Sequence, residues 1–237
     1  MRRVLLFVVT FWTAALVFAA LADAQTIYIR NISTVVTNAD IQAQMPAFQD
    51  AFTQDFDPAW WTDIHLAFSP FPPAKSTVLN ITDMDANAPG AFGYHDVATG
   101  AIPYGVVLAQ TTQQYGVSLS EVITHELFEM AVDPFTNDAV KVSRYYYPFW
   151  LQETADPVES SRNDYFRQTP AGLSVLISDF VLPKWFRAGS SGPWDFTRHT
   201  TAPLQILPGG YQIAWSRTLG KWTHVCAPDE TCRRARF

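Results

Sequence analysis

The chain is short of several things, and each shortage closes off a class of function. It holds two cysteines, Cys226 and Cys232, so no Cys-rich zinc site can be built from it. Lys and Arg number 16 against 22 Asp and Glu, for a formal charge of −6, and the basic residues form no block. A nucleic-acid partner is therefore not expected. No G-x-S-x-G elbow and no glycine-rich phosphate loop occurs, so the signatures of α/β-hydrolase chemistry and of nucleotide phosphate binding are missing. There is no internal repeat and no low-complexity tract. Beyond residue 24 no apolar run is long enough to span a bilayer.

What is present begins with a leader pattern. Arg2 and Arg3 precede an apolar stretch from Val4 to Ala20, and Ala22-Asp23-Ala24 gives a small-x-small site before Gln25. Residues 1–24 thus have the form of a secretory signal peptide, and a secreted, extracellular protein is expected. A membrane anchor made of residues 4–22 is the less favoured alternative, because the small-residue site and Asp23 follow so closely. About 213 residues remain, enough for a single domain over 25–237 with its own core. In an oxidising compartment Cys226 and Cys232 are expected to close a small disulfide loop. Asn31-Ile32-Ser33 and Asn80-Ile81-Thr82 are sequons, which makes Asn31 and Asn80 candidate glycosylation sites in a host that glycosylates.

Hydrophobic patterning gives an α+β reading. Strands are expected at 26–30, 63–68, 76–82, 92–97 and 102–109, the last two around an Ala98-Thr99-Gly100 turn. A helix is expected from the Asn38-Ala39-Asp40 caps through about Asp55, delayed or kinked by Pro46. A strand pair is expected across 163–182 and one more strand at 211–216, in an irregular C-terminal part. The whole is an α+β pattern, antiparallel rather than built of βαβ units.

The most informative stretch is VSLSEVITHELFEMAVDP, residues 117–134. Ser118 and Glu121 spell a capping box, S-x-x-E, and Pro134 stops the helix. Leu119, Val122, Ile123, Leu127, Met130 and Ala131 form an apolar stripe at helical spacing. His125 and Glu129 are four apart and sit one above the other. Glu126 is about 100° round from His125, at the edge of the apolar stripe. Phe128 is apolar on the opposite side. A helix that is apolar on most sides is buried, so its acids need partners, and a metal ion suits several at once.

H-E-x-x-H on a helix provides two zinc ligands at i and i+4 and a general base between them. Here the spelling is His125-Glu126-Leu127-Phe128-Glu129. A carboxylate at i+4 still reaches a metal held by His125, although its charge makes the metal a poorer Lewis acid. The helix resembles a zincin-type metallopeptidase helix in a variant H-E-x-x-E form. Its gluzincin-like partner block is E-x-x-D-P-V-E at 153–159, which follows Glu129 by 24 residues. The ordered blocks GYHD (93–96), IPYGVV (102–107), H-E-x-x-E-x-x-x-D-P (125–134), E-x-x-D-P-V-E and SDFVLPKWF (178–186) are also similar to a set of largely uncharacterised phage, bacterial and fungal proteins. The resemblance covers roughly residues 90–190. It implies a zincin-like α+β fold with a mixed or antiparallel sheet packed on the active-site helix. It further implies His125, Glu129 and Glu153 as metal ligands and Glu126 as catalytic base. Asp133 and Asp156 would be outer carboxylates that orient the ligands.

The function this implies is a metal-dependent hydrolase, most readily a zinc peptidase acting on protein or peptide. The alternative is a non-catalytic secreted protein of the same fold that binds a protein or an extracellular polymer. Its metal would be structural, and calcium or no metal stays open there, since acid-rich sites favour hard cations. The strand at 102–109 is a candidate edge for pairing with an extended substrate. His95 reads as a quiet strand histidine with a minor claim as ligand, and His65 as a core histidine. His199 and His224 read as surface residues. Trp60-Trp61 and Tyr145-Tyr146-Tyr147 suggest sugar binding, but core packing is the preferred explanation.

Overall fold

A computed structural model describes residues 25–142, 146–159 and 162–227. The leader 1–24, Tyr145 and Cys232 lie outside the described residues. The protein is α+β. Its main sheet has five strands: β1 (Gln25–Asn31), β2 (Ile64–Phe68), β3 (Thr77–Thr82), β4 (Gly93–Ala98) and β5 (Ile102–Leu108). Their order is β2-β1-β3-β5-β4. β1 pairs parallel with both β2 and β3, and β3 pairs parallel with β5. Only β4 runs antiparallel, on β5.

The antiparallel expectation is therefore corrected for the main sheet. The sequence pattern does not separate the two pairings here, because large apolar side chains fill mainly one face. Ile27, Ile29, Leu79 and Ile81 are fully buried beneath the helices. The other face carries only a small cluster around Val106, Leu108, Tyr94 and Tyr104. A parallel sheet loaded on one side keeps the period-two pattern. The edge assignment is corrected too: β5 lies inside the sheet and β4 forms the edge.

Helix α1 (Asn38–Ala51) is capped one residue before the expected Asn38-Ala39-Asp40 caps. Thr37 is the N-cap and forms a capping box with Asp40. Pro46 is inside the helix and does not end it. A π-turn (Phe52–Phe56) and a short helix α2 (Asp57–Trp60) continue the run until Trp61 turns left-handed. Helix α3 (Ala109–Tyr115) follows β5 directly. Helix α4 (Leu119–Val132) carries the H-E-x-x-E sequence. Half of its expected capping box forms: Glu121 accepts from the Ser118 backbone N–H, while the Ser118 side chain makes no cap bond and pairs with Ser120 at 3.0 Å.

Phe128 fixes the rotation of α4. It stacks on Phe56 at 4.4 Å between centroids and packs edge-on against Phe180 at 5.0 Å. Burying that face aims His125, Glu126 and Glu129 elsewhere. Gly105 on β5 lets the helix lie close, since a Cβ there would come within 2.6 Å of Met130 Sδ.

The rest of the chain adds an antiparallel hairpin and a second sheet. The hairpin is β8 (Tyr165–Gln168) with β9 (Ser174–Ile177), as expected from the sequence. The sheet joins β6 (Ala139–Lys141), β7 (Phe149–Leu151), β10 (Tyr211–Ser216) and β11 (Lys221–Cys226) in the order β11-β10-β7-β6. Cys226 ends β11 and is disulfide-bonded. Asn31 ends β1 and Asn80 lies mid-strand in β3.

Other readings change. His65 is exposed on β2 between buried Ile64 and Leu66, so it is not a core histidine. His224 is on a strand, its ring against Tyr211 at 5.3 Å. Trp60 packs into the core as expected and donates to the Val181 carbonyl at 2.9 Å. Trp61 and Tyr146 do not pack, being 82% and 72% exposed.

Candidate metal centre

Three chain segments meet at one buried polar cluster. β4 contributes Gly93 and His95, which share a face because they are two residues apart on a strand. The helix contributes His125, Glu126 and Glu129. The segment after β7 contributes Glu153 and Asp156, where Asp156 opens a 3-10 turn (Asp156–Val158). That segment is tied to the helix by Glu129, whose Oε1 accepts from the backbone N–H of Ala155 and Asp156, both at 3.2 Å.

Around His125, Nε2 stands 3.5 Å from Glu129 Oε1 and 3.3 Å from Asp156 Oδ1. Around His95, Nδ1 stands 3.6 Å from Glu126 Oε2 and 3.7 Å from Glu129 Oε2, and Nε2 stands 3.7 Å from Glu153 Oε2. These separations are longer than good N–H···O hydrogen bonds. Ligands about 2.0–2.1 Å from a tetrahedral metal stand about 3.3–3.4 Å apart; the His125 pairs, at 3.3 and 3.5 Å, come near that spacing, and the His95 pairs, at 3.6–3.7 Å, are a little wider. His95 Nε2, Glu126 Oε2, Glu153 Oε2 and Asp156 Oδ1 are buried with no hydrogen-bond partner. Orphaned buried acceptors are costly, and a cation would satisfy them. The residues present thus fit a metal ion, in two donor sets: His95 with Glu126 and Glu129, and His125 with Glu129 and Asp156.

Electrostatics without the ion follow from burial and crowding. Burial opposes protonation of His95, but Glu126, Glu153 and Glu129 outweigh it and raise the imidazole to about 10. Burial likewise opposes protonation of His125, and Glu129 and Asp156 raise it well above its ordinary value. Burial pushes Glu126 up. Burial and then repulsion from Glu129 push up Glu153, and bring Asp156 to about 8. Glu129 alone of the four is lowered: burial works against it, but His125 and His95 hold it charged.

An outer ring of acids surrounds these groups. Burial brings Glu159 to about 7 and, with repulsion from Glu121, Asp164 to about 8. Asp133 caps the end of the helix, and its Oδ1 accepts from Asn137 and Asp138 N–H at 2.8 and 2.9 Å. These two N–H groups offset the cost of an acid at a helix C-terminus, while Asp133 Oδ2 is buried without a hydrogen bond.

The helix, Glu153 and Asp156 are brought together as the sequence suggested. Glu153, however, faces His95, and Asp156 is the carboxylate against His125. His95, given only a minor claim as ligand by the sequence, is central rather than quiet, and one participant was missed. Tyr211 on β10 hydrogen-bonds Asp156. Gly210 beside it presses on the same turn, where a Cβ would come within 2.6 Å of the Asp156 and Pro157 carbonyls. The GYHD spelling was the available signal for His95; nothing local marks Tyr211.

A third polar group, Asp179, Asp195 and His199, differs in kind. The Asp195 carboxylate accepts from the backbone N–H of His199 and Thr200, and Asp179 accepts from Phe180 and Thr197. Its acids are satisfied by the loop they brace. Comparison of the chain with protein families, curated proteins and solved structures gives no match.

Proposed function

We propose that the protein is a secreted metal-dependent hydrolase of zincin-like fold, with peptides as its substrate class. The carrying observation is the donor set around His125, whose Nε2 lies 3.5 Å from Glu129 Oε1 and 3.3 Å from Asp156 Oδ1, the latter without a hydrogen bond, with donor atoms of the three residues all within 4.8 Å of one another. A bound divalent cation supplies Lewis acidity toward water and a carbonyl oxygen. Zinc suits this set, because it accepts imidazole and carboxylate together in low coordination number. Calcium is disfavoured, because it takes six to eight oxygens.

In this reading His125, Glu129 and Asp156 hold the ion, and Tyr211 orients Asp156 through its hydroxyl. Glu126 is the general base that takes a proton as water attacks a carbonyl carbon. Glu153 orients His95. The zincin-like fold is supported by the order β2-β1-β3-β5-β4, with one antiparallel edge strand beside the H-E-x-x-E helix. Peptide is supported by that same edge: β4 has β5 on one side and no strand on the other among the described residues, so an extended chain can add there. Secretion rests on the leader pattern of residues 1–24. Among the described residues no helix is long and apolar enough to cross a membrane.

A second reading is favoured by burial. Glu126, Glu129, Glu153 and Asp156 are 2–4% exposed, as in a closed structural site in a non-catalytic binding protein. His125, with its side chain 13% exposed, is the most open donor and the route by which a substrate would reach the ion. Incubating the mature chain with a quenched peptide library separates the two. Hydrolysis that a chelator abolishes, zinc restores and His125→Ala lacks supports the enzyme. A metal-loaded protein that cleaves nothing, and melts lower when stripped, supports the structural role.

A further inference from the structure

The two donor sets share one residue, and they share it through different atoms. Glu129 Oε1 faces His125 at 3.5 Å, and Glu129 Oε2 faces His95 Nδ1 at 3.7 Å. Each histidine also has its own carboxylate: Asp156 for His125 at 3.3 Å and Glu126 for His95 at 3.6 Å. We infer that this protein binds two divalent cations bridged by Glu129, one held with His125 and Asp156 and the other with His95 and Glu126.

The chemistry of the cluster supports two ions over one. A single ion at His125 leaves Glu126 Oε2 and Glu153 Oε2 buried without partners. A second ion at His95 Nδ1 satisfies Glu126. It also fixes the remaining proton of His95 on Nε2, pointing at Glu153, the carboxylate–imidazole pairing that orients metal-bound histidines. Charge points the same way. Carboxylates of four residues, Glu126, Glu129, Glu153 and Asp156, crowd two histidines, and two dications neutralise them where one does not. Bridged ions in hydrolytic sites stand about 3.5–4 Å apart, a span that one carboxylate covers with its two oxygens.

This inference rests on the metal reading above and changes one role in it. A carboxylate that ligates the second ion is not the free base of a one-ion site, so the two diverge at Glu126. The test is metal content of the full mature chain, stripped and then dialysed against zinc or, separately, manganese. The expected stoichiometry is two ions per chain, falling to one in His95→Ala and to one in Glu126→Gln. The Gln variant keeps the side-chain volume, so it serves if the Ala variant does not fold. The manganese-loaded wild type should give the exchange-coupled paramagnetic resonance spectrum of a close pair. One ion per chain, unchanged in His95→Ala and Glu126→Gln and with an isolated-manganese spectrum, overturns the second ion and leaves the one-ion hydrolase standing. No bound ion in the wild type overturns both.

Discussion

Gly93 and Glu126 are in contact across the gap between β4 and α4: a Cβ built on Gly93 would stand 2.5 Å from Glu126 Oε1 and 2.8 Å from Glu126 Cγ. The strand residue must therefore lack a side chain for the helix carboxylate to hold its place beside His95. Gly93→Ala is expected to displace the Glu126 side chain and destabilise the fold by about 1–3 kcal/mol, the usual cost of overpacking. Urea unfolding measures the loss, and the metal content at the His95 position should fall with it.

Tyr211 acts on the site through Asp156. Removing only its hydroxyl, in Tyr211→Phe, leaves the ring against His224 and takes the hydrogen bond from a carboxylate facing His125. Loss of such an orienting partner lowers metal affinity about 10–100-fold. Competition with a chelator of known affinity reads this directly, with the melting temperature of the stripped protein little changed.

Phe128 sets the rotation of α4 from the opposite side, packed among Phe52, Phe56 and Phe180. Phe128→Ala leaves a cavity in that cluster and is expected to cost about 3–5 kcal/mol. Chemical denaturation gives the number. The more specific consequence is loosened metal binding, because the helix loses the packing that aims His125 and Glu129.

Asp83 provides the clearest pH dependence away from the cluster. It accepts from Ser33 Oγ at 2.5 Å, Thr34 Oγ1 at 2.6 Å and Thr34 N–H at 2.9 Å. These donors hold its carboxyl down at about 2, below the ordinary 3.8. A lowered folded-state value contributes stability that is present above the unfolded value and is lost as pH falls through the folded one. Asp83→Asn should therefore melt below the wild type at pH 5, with the gap closing between about pH 4 and pH 2. Thermal melts at stepped pH check it.

The helix was legible in the sequence because its apolar stripe has helical period and because i, i+4 spacing stacks His125 on Glu129 whatever the rest of the chain does. The 153–156 block was legible as an acid pair at a fixed distance downstream. Its division of labour was not, since which carboxylate faces His125 depends on the 3-10 turn at Asp156 and on two backbone N–H groups reaching Glu129. His95 had only a minor claim because its role comes from strand register: β4 folds back on β5, and that pairing brings residue 95 over a helix 30 positions later. Tyr211 arrives from a different sheet, 55 residues past its partner, where no local pattern reaches. The parallel order of the main sheet was hidden by one-sided burial, which copies antiparallel alternation.

The buried His–carboxylate cluster is read as a cation site, and Glu129 is common to both of its donor sets, so the loss of that carboxylate reaches both. The most direct measurement is metal content by mass spectrometry of the mature chain purified without chelator, beside Glu129→Gln, whose side-chain carbonyl can still accept from Ala155 and Asp156. Tightly held transition metal in the wild type, lost in Glu129→Gln while the fold persists, is the predicted result. A wild type that carries no metal and gains no thermal stability from added zinc would contradict it, leaving His95 and His125 as protonated partners of a buried carboxylate network.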